Sequence, residues 1–453
     1  MGIRAKRNLG ATRYIAQDNN NDRFINFWFA NYTRKNKRES LAELDRYFDK
    51  FKPNSLDVWV CWYWVERVRG KYDFSAYDKL IDKIASYGAK VFLRINAMDM
   101  PAWLYKVKDE KGRCIYTQWN YYGEDIVGTS YTGGKRAGII SYANPTSRKF
   151  VLDFTYAVVS HFKERYADHP QGNPIRMYGS CFSHSGEMEY DYEEKCGDYS
   201  PAAIKSFRKW LYNRYADISL LNERWRTAYS SFDEVEAPEI TNNTQTVKEM
   251  DWLQYRAYEQ GNMARLQREA IKKADPNAEY VLVFGSVFDP MIKRRGSLFA
   301  DYWTEYTDWY GVADCFAYNH RYSMSFVRGI SKGRKFYNEA FKEVKDNEKL
   351  RFEWLKMTRE SFEEGANQMN YAGFPFEDVG KDEYDYYLVA ADFIRDKSKV
   401  TRPAPKRAIY VSTWSAARDT ASVCAEAERV FDELRKDGFI DVIRDGTFES
   451  DPE

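Results

Sequence analysis

The sequence predicts an α/β chain whose main part is a closed (β/α)8 barrel, on three observations. Short apolar runs alternate with amphipathic segments, the alternation continues through eight strands within residues 1–400, and no glycine-rich phosphate turn follows the first strand. Alternation on this scale requires a parallel sheet covered by helices, and eight units close that sheet into a barrel. A doubly wound open sheet alternates similarly, but its dinucleotide-binding form places signature glycines at the first strand-to-helix turn. A chain of 453 residues accommodates such a unit with a smaller one beside it.

The first strand is read at RFINFWFA, from Arg23, and is followed by ESLAELDRYFDKF, where Leu41, Leu44, Phe48 and Phe51 keep helical spacing. SLDVWVCWYW is the second strand, and YDFSAYDKLIDKIASYG is its helix, closed by Gly88. KVFLRI is the third, followed by a long loop through Gly133 and Gly134 and the helix SRKFVLDFTYAVVSHFKERY. IRMYGSCF is the fourth, with helices at FRKWLYNRYADISLLNERW and LQYRAYEQGNMARLQREAIKKA. EYVLVFG, VADCFAYN, KFYNEAF and ANQMNYAGF supply strands five to eight, with the helix EKLRFEWLKMTRESFEEG before the last. The linker SKVTRPAPK then leads into residues 401–453. There RAIYVS, a helix from Ala421 to Lys436 and FIDVIRD begin a second α/β unit, too short to cover both sheet faces alone.

Composition excludes several function classes. Net charge is +1 with 30% charged residues, so a polyanion such as nucleic acid is not an expected partner. No apolar run approaches the roughly 18 to 20 residues that span a bilayer, and no signal peptide is visible, which leaves the compartment open. The six cysteines show no CxxC and read as small buried hydrophobes, so neither a metal nor another cofactor is expected. Aromatics reach 17%, with 36 Tyr and 13 Trp. Aromatic faces stack on the apolar C–H faces of sugars, so the excess leans toward a carbohydrate ligand.

Active sites of (β/α)8 barrels lie at the C-terminal ends of the strands. In CFSHSGEMEYD, Glu187, Glu189 and Asp191 fall on alternate positions as strand four leaves the core, and Glu339 ends strand seven. Glycoside cleavage uses two carboxyl groups flanking one bond, one protonating the leaving oxygen and one attacking or activating water at the sugar carbon. Glu187 and Glu339 are the expected pair, with Glu189 the rival acid. Substrate-binding candidates around them are Trp62 and Trp64 after strand two and Asp99 and Trp103 after strand three. His184 lies in the opening stretch, Asn319 and His320 follow strand six, and Tyr337 lies two residues before Glu339. Arg94 suits either substrate orientation or an internal ion pair. The basic clusters ending at Arg136 and at Arg294 and Arg295 follow strands three and five, where guanidinium groups could recognise a sulfated or uronic glycan bidentately.

The segment WYWVERVRGKYDFSAYDKLIDKIASYGAKVFLRI resembles the second βα unit of glycoside hydrolase family 42, the retaining β-galactosidases. MPAWL, YADHP and FRKWLYNRYADISLLNERWRTAYSSFDEVEAPE, with Leu221, Asn222 and Trp225, resemble further stretches of that family in the same order. The resemblance implies that Glu187 is the acid/base and Glu339 the nucleophile, with carboxyls about 5 to 5.5 Å apart. It also implies that the tail begins a flavodoxin-like trimerisation domain, hence a homo-oligomer. Two features depart from the family: Gly186 stands where members carry Asn, and clustered zinc cysteines are absent. SGEMEY also resembles the acid-bearing strand of β-amylases, which invert. The expected function is therefore a retaining, metal-independent hydrolase of β-galactosidic linkages. An inverting hydrolase and a non-catalytic carbohydrate-binding barrel are the alternatives.

Overall fold

The computed structural model describes residues 3–6, 24–28, 52–127, 138–183, 186–190, 196–241, 246–285, 292–315, 319–341, 347–372 and 407–444, with Leu41, Leu44, Asp45, Phe48, Asp49 and Pro405. Strand β1 is Ile3–Lys6; β2 (Phe24–Trp28), β3 (Ser55–Cys61), β4 (Lys90–Asn96), β5 (Ile175–Cys181), β6 (Tyr280–Phe284), β7 (Trp309–Cys315), β8 (Lys335–Phe341) and β9 (Gln368–Ala372) form a closed barrel in sequence order. Every barrel pairing is parallel, and the ring closes where Phe24 lies opposite Gln368.

Alternation along each strand sorts the side chains. Leu56, Val58 and Val60 of β3 and Val91, Leu93 and Ile95 of β4 join the large core shared with the helices. The opposite set points into the barrel, where Phe92, Met177, Val281, Val283, Trp309 and Tyr337 form one buried apolar cluster. Small residues make room for these rings. A Cβ on Gly179 would fall 2.6 Å from Phe92, and one on Gly311 would fall 2.3 Å from the ring of Tyr337.

Helix starts are fixed by local chemistry. Asn144 accepts from the backbone N–H groups of Thr146 and Ser147 to open Pro145–Arg165, Ser200 does the same toward Ala203 for Pro201–Tyr215, and Thr246 with Glu249 builds a capping box on Val247–Ala274. No described helix is long and apolar enough to cross a membrane.

Several boundaries differ from the sequence reading. The sixth barrel strand begins at Trp309, ahead of the start read at Val312, and runs through Gly311, whose missing side chain serves barrel packing. The helical stretch after strand four divides at Ala216, which has a φ of 58°, and Asp217 caps a second helix, Ile218–Trp225. Strand β3 ends at Cys61, and the residues read as its continuation form the short helix Trp62–Val65. In the tail, β10 (Arg407–Val411) and β11 (Ile440–Arg444) pair in parallel across two helices, Thr413–Arg418 and Thr420–Arg435. The N-terminal strand β1, which the sequence reading left unassigned, pairs antiparallel with β10 and completes a three-stranded sheet.

That sheet rests on the barrel helix His320–Ser331. Ser325 donates to the carbonyl of Ile440 at 2.7 Å, Arg328 pairs with Asp441, and Tyr322 meets Phe431 edge to face. Gly329 lies under the carbonyl of Val442, 2.0 Å from where a Cβ would stand, so only glycine admits the strand at this height.

Candidate active site

Two inward positions of β3 and β4 carry charge in otherwise apolar strands. Asp57 and Arg94 pair at 2.8 Å with both side chains fully buried. Arg94 also pairs with Glu339 of β8 through the same Nη2, and Asn370 of β9 donates to Asp57 at 3.0 Å and to Glu339. Four strands thus converge on one polar layer above the apolar filling. Tyr337 fills the space over Gly311, and its hydroxyl lies 3.5 Å from Arg94 Nη2, so it supports the guanidinium that holds Glu339.

One positive charge here serves two carboxylates. Burial pushes Asp57 above the ordinary carboxylate range even though Arg94 and Asn370 favour its ionised form. Burial likewise raises Glu339, to about 7; Arg94 opposes this, and the charges of Asp57 and Glu187 reinforce it. Arg94 remains firmly protonated between its two partners.

Glu187 reaches the same region from the fourth barrel strand. After β5 the chain turns back at once, with the backbone N–H groups of Phe182 and Ser183 donating to the Glu187 carbonyl at 3.2 and 2.8 Å. Ser183 Oγ donates to Glu187 Oε2 at 3.3 Å, and Arg94 Nη1 reaches the carbonyl of Gly186 at 3.5 Å. Arg94 therefore touches both Glu339 and the turn that carries Glu187. Both glutamates are mostly buried, at 4% and 7% exposure.

The family model of glycoside hydrolase family 42, described as beta-galactosidase, matches residues 32–340. The chain belongs to glycoside hydrolase family 42. Among curated relatives, beta-galactosidase BbgII of Bifidobacterium bifidum is 24% identical over 305 residues, covering 61% of this chain and 38% of that protein. Beta-galactosidase Bga of Halorubrum lacusprofundi is 28% identical over 232 residues, 48% of this chain and 28% of that protein. The family 42 chain thus spans well under half of either relative's length. Among solved structures, Gan42B, a family 42 β-galactosidase from G. stearothermophilus, superposes with a TM-score of 0.72 at 15% identity over 94% of this chain and 66% of that one. The catalytic domain of a β-amylase from Paenibacillus polymyxa gives 0.65 at 13% identity, over 83% of this chain and 99% of that one. At these identities the likeness concerns the fold.

In this family 42 chain the residue before Glu187 is glycine for a local reason. Gly186 has a φ of 103°, and a Cβ there would fall 2.4 Å from Cη2 of Trp59. Trp59 in turn lies under the Arg94 guanidinium, 5.4 Å from its ring centroid. Gly186→Ala is expected to lower stability by about 1–3 kcal/mol through backbone strain, with ring overlap adding to it. Urea unfolding would measure this, and Trp59→Ala in the same chain should recover only the overlap part.

Several residues expected to bind substrate are committed elsewhere. Trp62 is fully buried, stacked on Phe154 at 5.5 Å and donating to Glu66, because helix Trp62–Val65 turns it toward the helix layer. Trp103 packs edge-on to Phe150 and donates to the carbonyl of Glu66. Asp99 is fully buried and accepts from Cys61 Sγ at 3.1 Å and Asn96 at 3.4 Å, which fixes the loop after β4. Asn319 caps the helix His320–Ser331 and donates to Asp432 in the tail, and His320 is buried as that helix's first residue. Tyr337 is likewise fully buried beneath the charged layer.

The rival acid Glu189 is fully buried, accepts from the Gly285 N–H at 2.6 Å and pairs with Arg295 at 3.2 Å. Arg295 therefore serves an internal ion pair, which explains it without an anionic glycan. Arg294 is half-buried, and its carbonyl accepts from Arg256 at 2.5 Å. Trp64 is half-buried, with Arg67 over its ring. His184, Asp191 and Arg136 lie outside the described residues.

The sequence reading missed Asp57 and Asn370. A detectable signal existed for Asp57, a single acid inside SLDVWVC at the same inward parity as Trp59. Asn370 offered less, since an amide in QMNYA suits an edge position equally well.

Proposed function

We propose that this chain is a retaining glycoside hydrolase acting on β-galactosidic linkages, with Glu339 as nucleophile and Glu187 as acid/base. The observation that carries this reading is Arg94, which contacts Glu339 directly and the Glu187 turn through the Gly186 carbonyl. With Oε2 held by Arg94 and Asn370, Oε1 of Glu339 attacks the anomeric carbon. The bond to the leaving oxygen breaks as Glu187 donates its proton there, giving a glycosyl ester on Glu339. Water then attacks the same carbon, Glu187 takes its proton, and Glu339 leaves as a carboxylate. The galactosidic preference draws on the β-galactosidases among the relatives and on the family itself. Assembly as a trimer through the tail, and the tail as a unit beginning near residue 401, belong to the same proposal.

A 2-deoxy-2-fluoro-β-galactosyl fluoride should inactivate the protein and label Glu339, read by peptide mass spectrometry. NMR of the first-formed sugar should show the β anomer. Release of the α anomer, with no ester, would establish inversion.

The titration of Glu339 adds a pH prediction. Attack requires the carboxylate, so kcat/KM should rise with pH through about 7 in the free protein. Asp57→Asn removes a neighbouring negative charge and should move this limb downward, which a pH–rate profile would measure. Stability runs the other way. The folded chain keeps the Glu339 proton between its ordinary value of 4.5 and about 7, where the unfolded chain has lost it. This group's contribution is therefore full below 4.5 and declines as pH rises to about 7.

A further inference from the structure

The bond changes assigned to Glu339 and Glu187 leave Asp57 without a part, although it sits in the same polar layer. Arg94 Nη2 meets Asp57 at 2.8 Å and also pairs with Glu339, and Asn370 donates to both carboxylates. The side chains of Arg94 and Asp57 are fully buried and that of Glu339 nearly so. Water therefore cannot replace a charge that any of the three loses.

With both acids ionised, one guanidinium faces two carboxylates. The crowding shows in the free protein, where burial lifts Glu339 to about 7, Arg94 opposes the rise, and the charges of Asp57 and Glu187 add to it. Esterification changes the charge count. An electron pair on Oε1 of Glu339 enters the bond to the anomeric carbon, so that side chain becomes neutral. The bond to the leaving oxygen breaks, that oxygen takes the Glu187 proton, and the negative charge reappears on Glu187. Ser183 Oγ donates to Glu187 Oε2 at 3.3 Å, whereas Arg94 meets this turn at the Gly186 carbonyl, 3.5 Å away. Among the described residues, Asp57 is then the one carboxylate still paired with Arg94. A buried cation with no counter-charge costs roughly 10²–10⁴-fold in the equilibrium that creates it.

We propose, on the retaining reading of the two glutamates, that Asp57 is a positioning residue for the covalent intermediate, keeping Arg94 balanced while Glu339 is esterified. It acts through Arg94 and not on the sugar.

The test exposes the unsubstituted chain and Asp57→Asn to 2-deoxy-2-fluoro-β-galactosyl fluoride and follows ester formation at Glu339 by mass spectrometry. In the variant Arg94 and Glu339 form a one-to-one pair, which esterification breaks. Labelling of Asp57→Asn should be slower by about tenfold or more. Labelling should also raise Tm less in Asp57→Asn than in the unsubstituted chain, or lower it, whereas a residue needed only for packing would leave the two shifts equal.

Glu339→Gln reproduces the charge state of the ester without any sugar, and it keeps the proposal testable if Asp57→Asn alone fails to fold. At pH 7 this variant should resist urea as well as the unsubstituted chain or better, because Asp57 balances Arg94. Adding Asp57→Asn to it strands the guanidinium and should raise the unfolding constant by about 10²-fold or more, up to complete loss of the fold. Equal labelling rates and equal Tm shifts would overturn the proposal, as would a Glu339→Gln chain that is itself destabilised. An unsubstituted chain that acquires no label on Glu339 would overturn the retaining reading and this proposal with it, so the two failures are distinguishable.

Discussion

Glu339→Gln is expected to lower turnover of an aryl β-galactoside by on the order of 10⁴-fold or more, because no glycosyl ester can form. Glu187→Gln should behave differently with leaving group. An activated aryl group departs without a proton, so formation of the ester survives while its hydrolysis slows. The expected pattern is a burst of phenol followed by a slow steady state, and a loss of about 10²–10⁴-fold on an unactivated disaccharide. Azide, which needs no general base, should restore turnover in Glu187→Gln and yield a β-galactosyl azide. Equal losses on both substrates, with no azide product, would remove Glu187 from its role. Full activity of Glu339→Gln would remove the whole assignment.

Arg94→Met is expected to cost about 3–5 kcal/mol of folding free energy, the usual consequence of removing one member of a buried charged group. The side chains of Arg94 and Asp57 are fully buried and that of Glu339 nearly so, so neither carboxylate could recover its lost partner from water. Both would take up protons, and a protonated Glu339 cannot attack. The variant should therefore lose activity at neutral pH together with stability. The double variant Arg94→Met, Asp57→Leu discriminates between these effects. With both charges of the pair gone, much of the stability should return, measured by denaturant unfolding, whereas activity should not, because Glu339 would still lack the cation that favours its ionised form. Recovery of both would make Arg94 a purely structural residue.

How far the sequence could be read follows from which interactions are local. Each barrel strand was legible because a five- to seven-residue apolar run bounded by helical periodicity has few other homes, and capping residues such as Asn144 and Ser200 mark where helices start. Glu187 and Glu339 could be singled out as candidates because acids at or just past strand ends in this fold lie near the mouth, and Arg94 reaches Glu339 and the carbonyl next to Glu187. What lay beyond reach was the direction of side chains just past a strand end. Trp62 and Trp64 are two residues apart, and only the short helix after Cys61 determines that one is buried in the helix layer while the other stays half-exposed. Asn319 and Arg295 look like free mouth residues until the tail helix brings Asp432 to one and the turn after β5 brings Glu189 to the other. The Asp57–Asn370 contact joins the second and eighth barrel strands, so it exists only after the ring has closed.

The sheet that joins β1 to β10 sets an order of events during folding. Ile3 lies opposite Val411, so β1 must wait until all eight barrel strands have been synthesised before its partner exists. Pairing at such sequence distance is slow and entropically costly until the intervening chain has compacted. The barrel therefore acts as the assembly jig for this clasp. During synthesis on the ribosome, Ile3–Lys6 remains an unsatisfied strand until β10 has emerged.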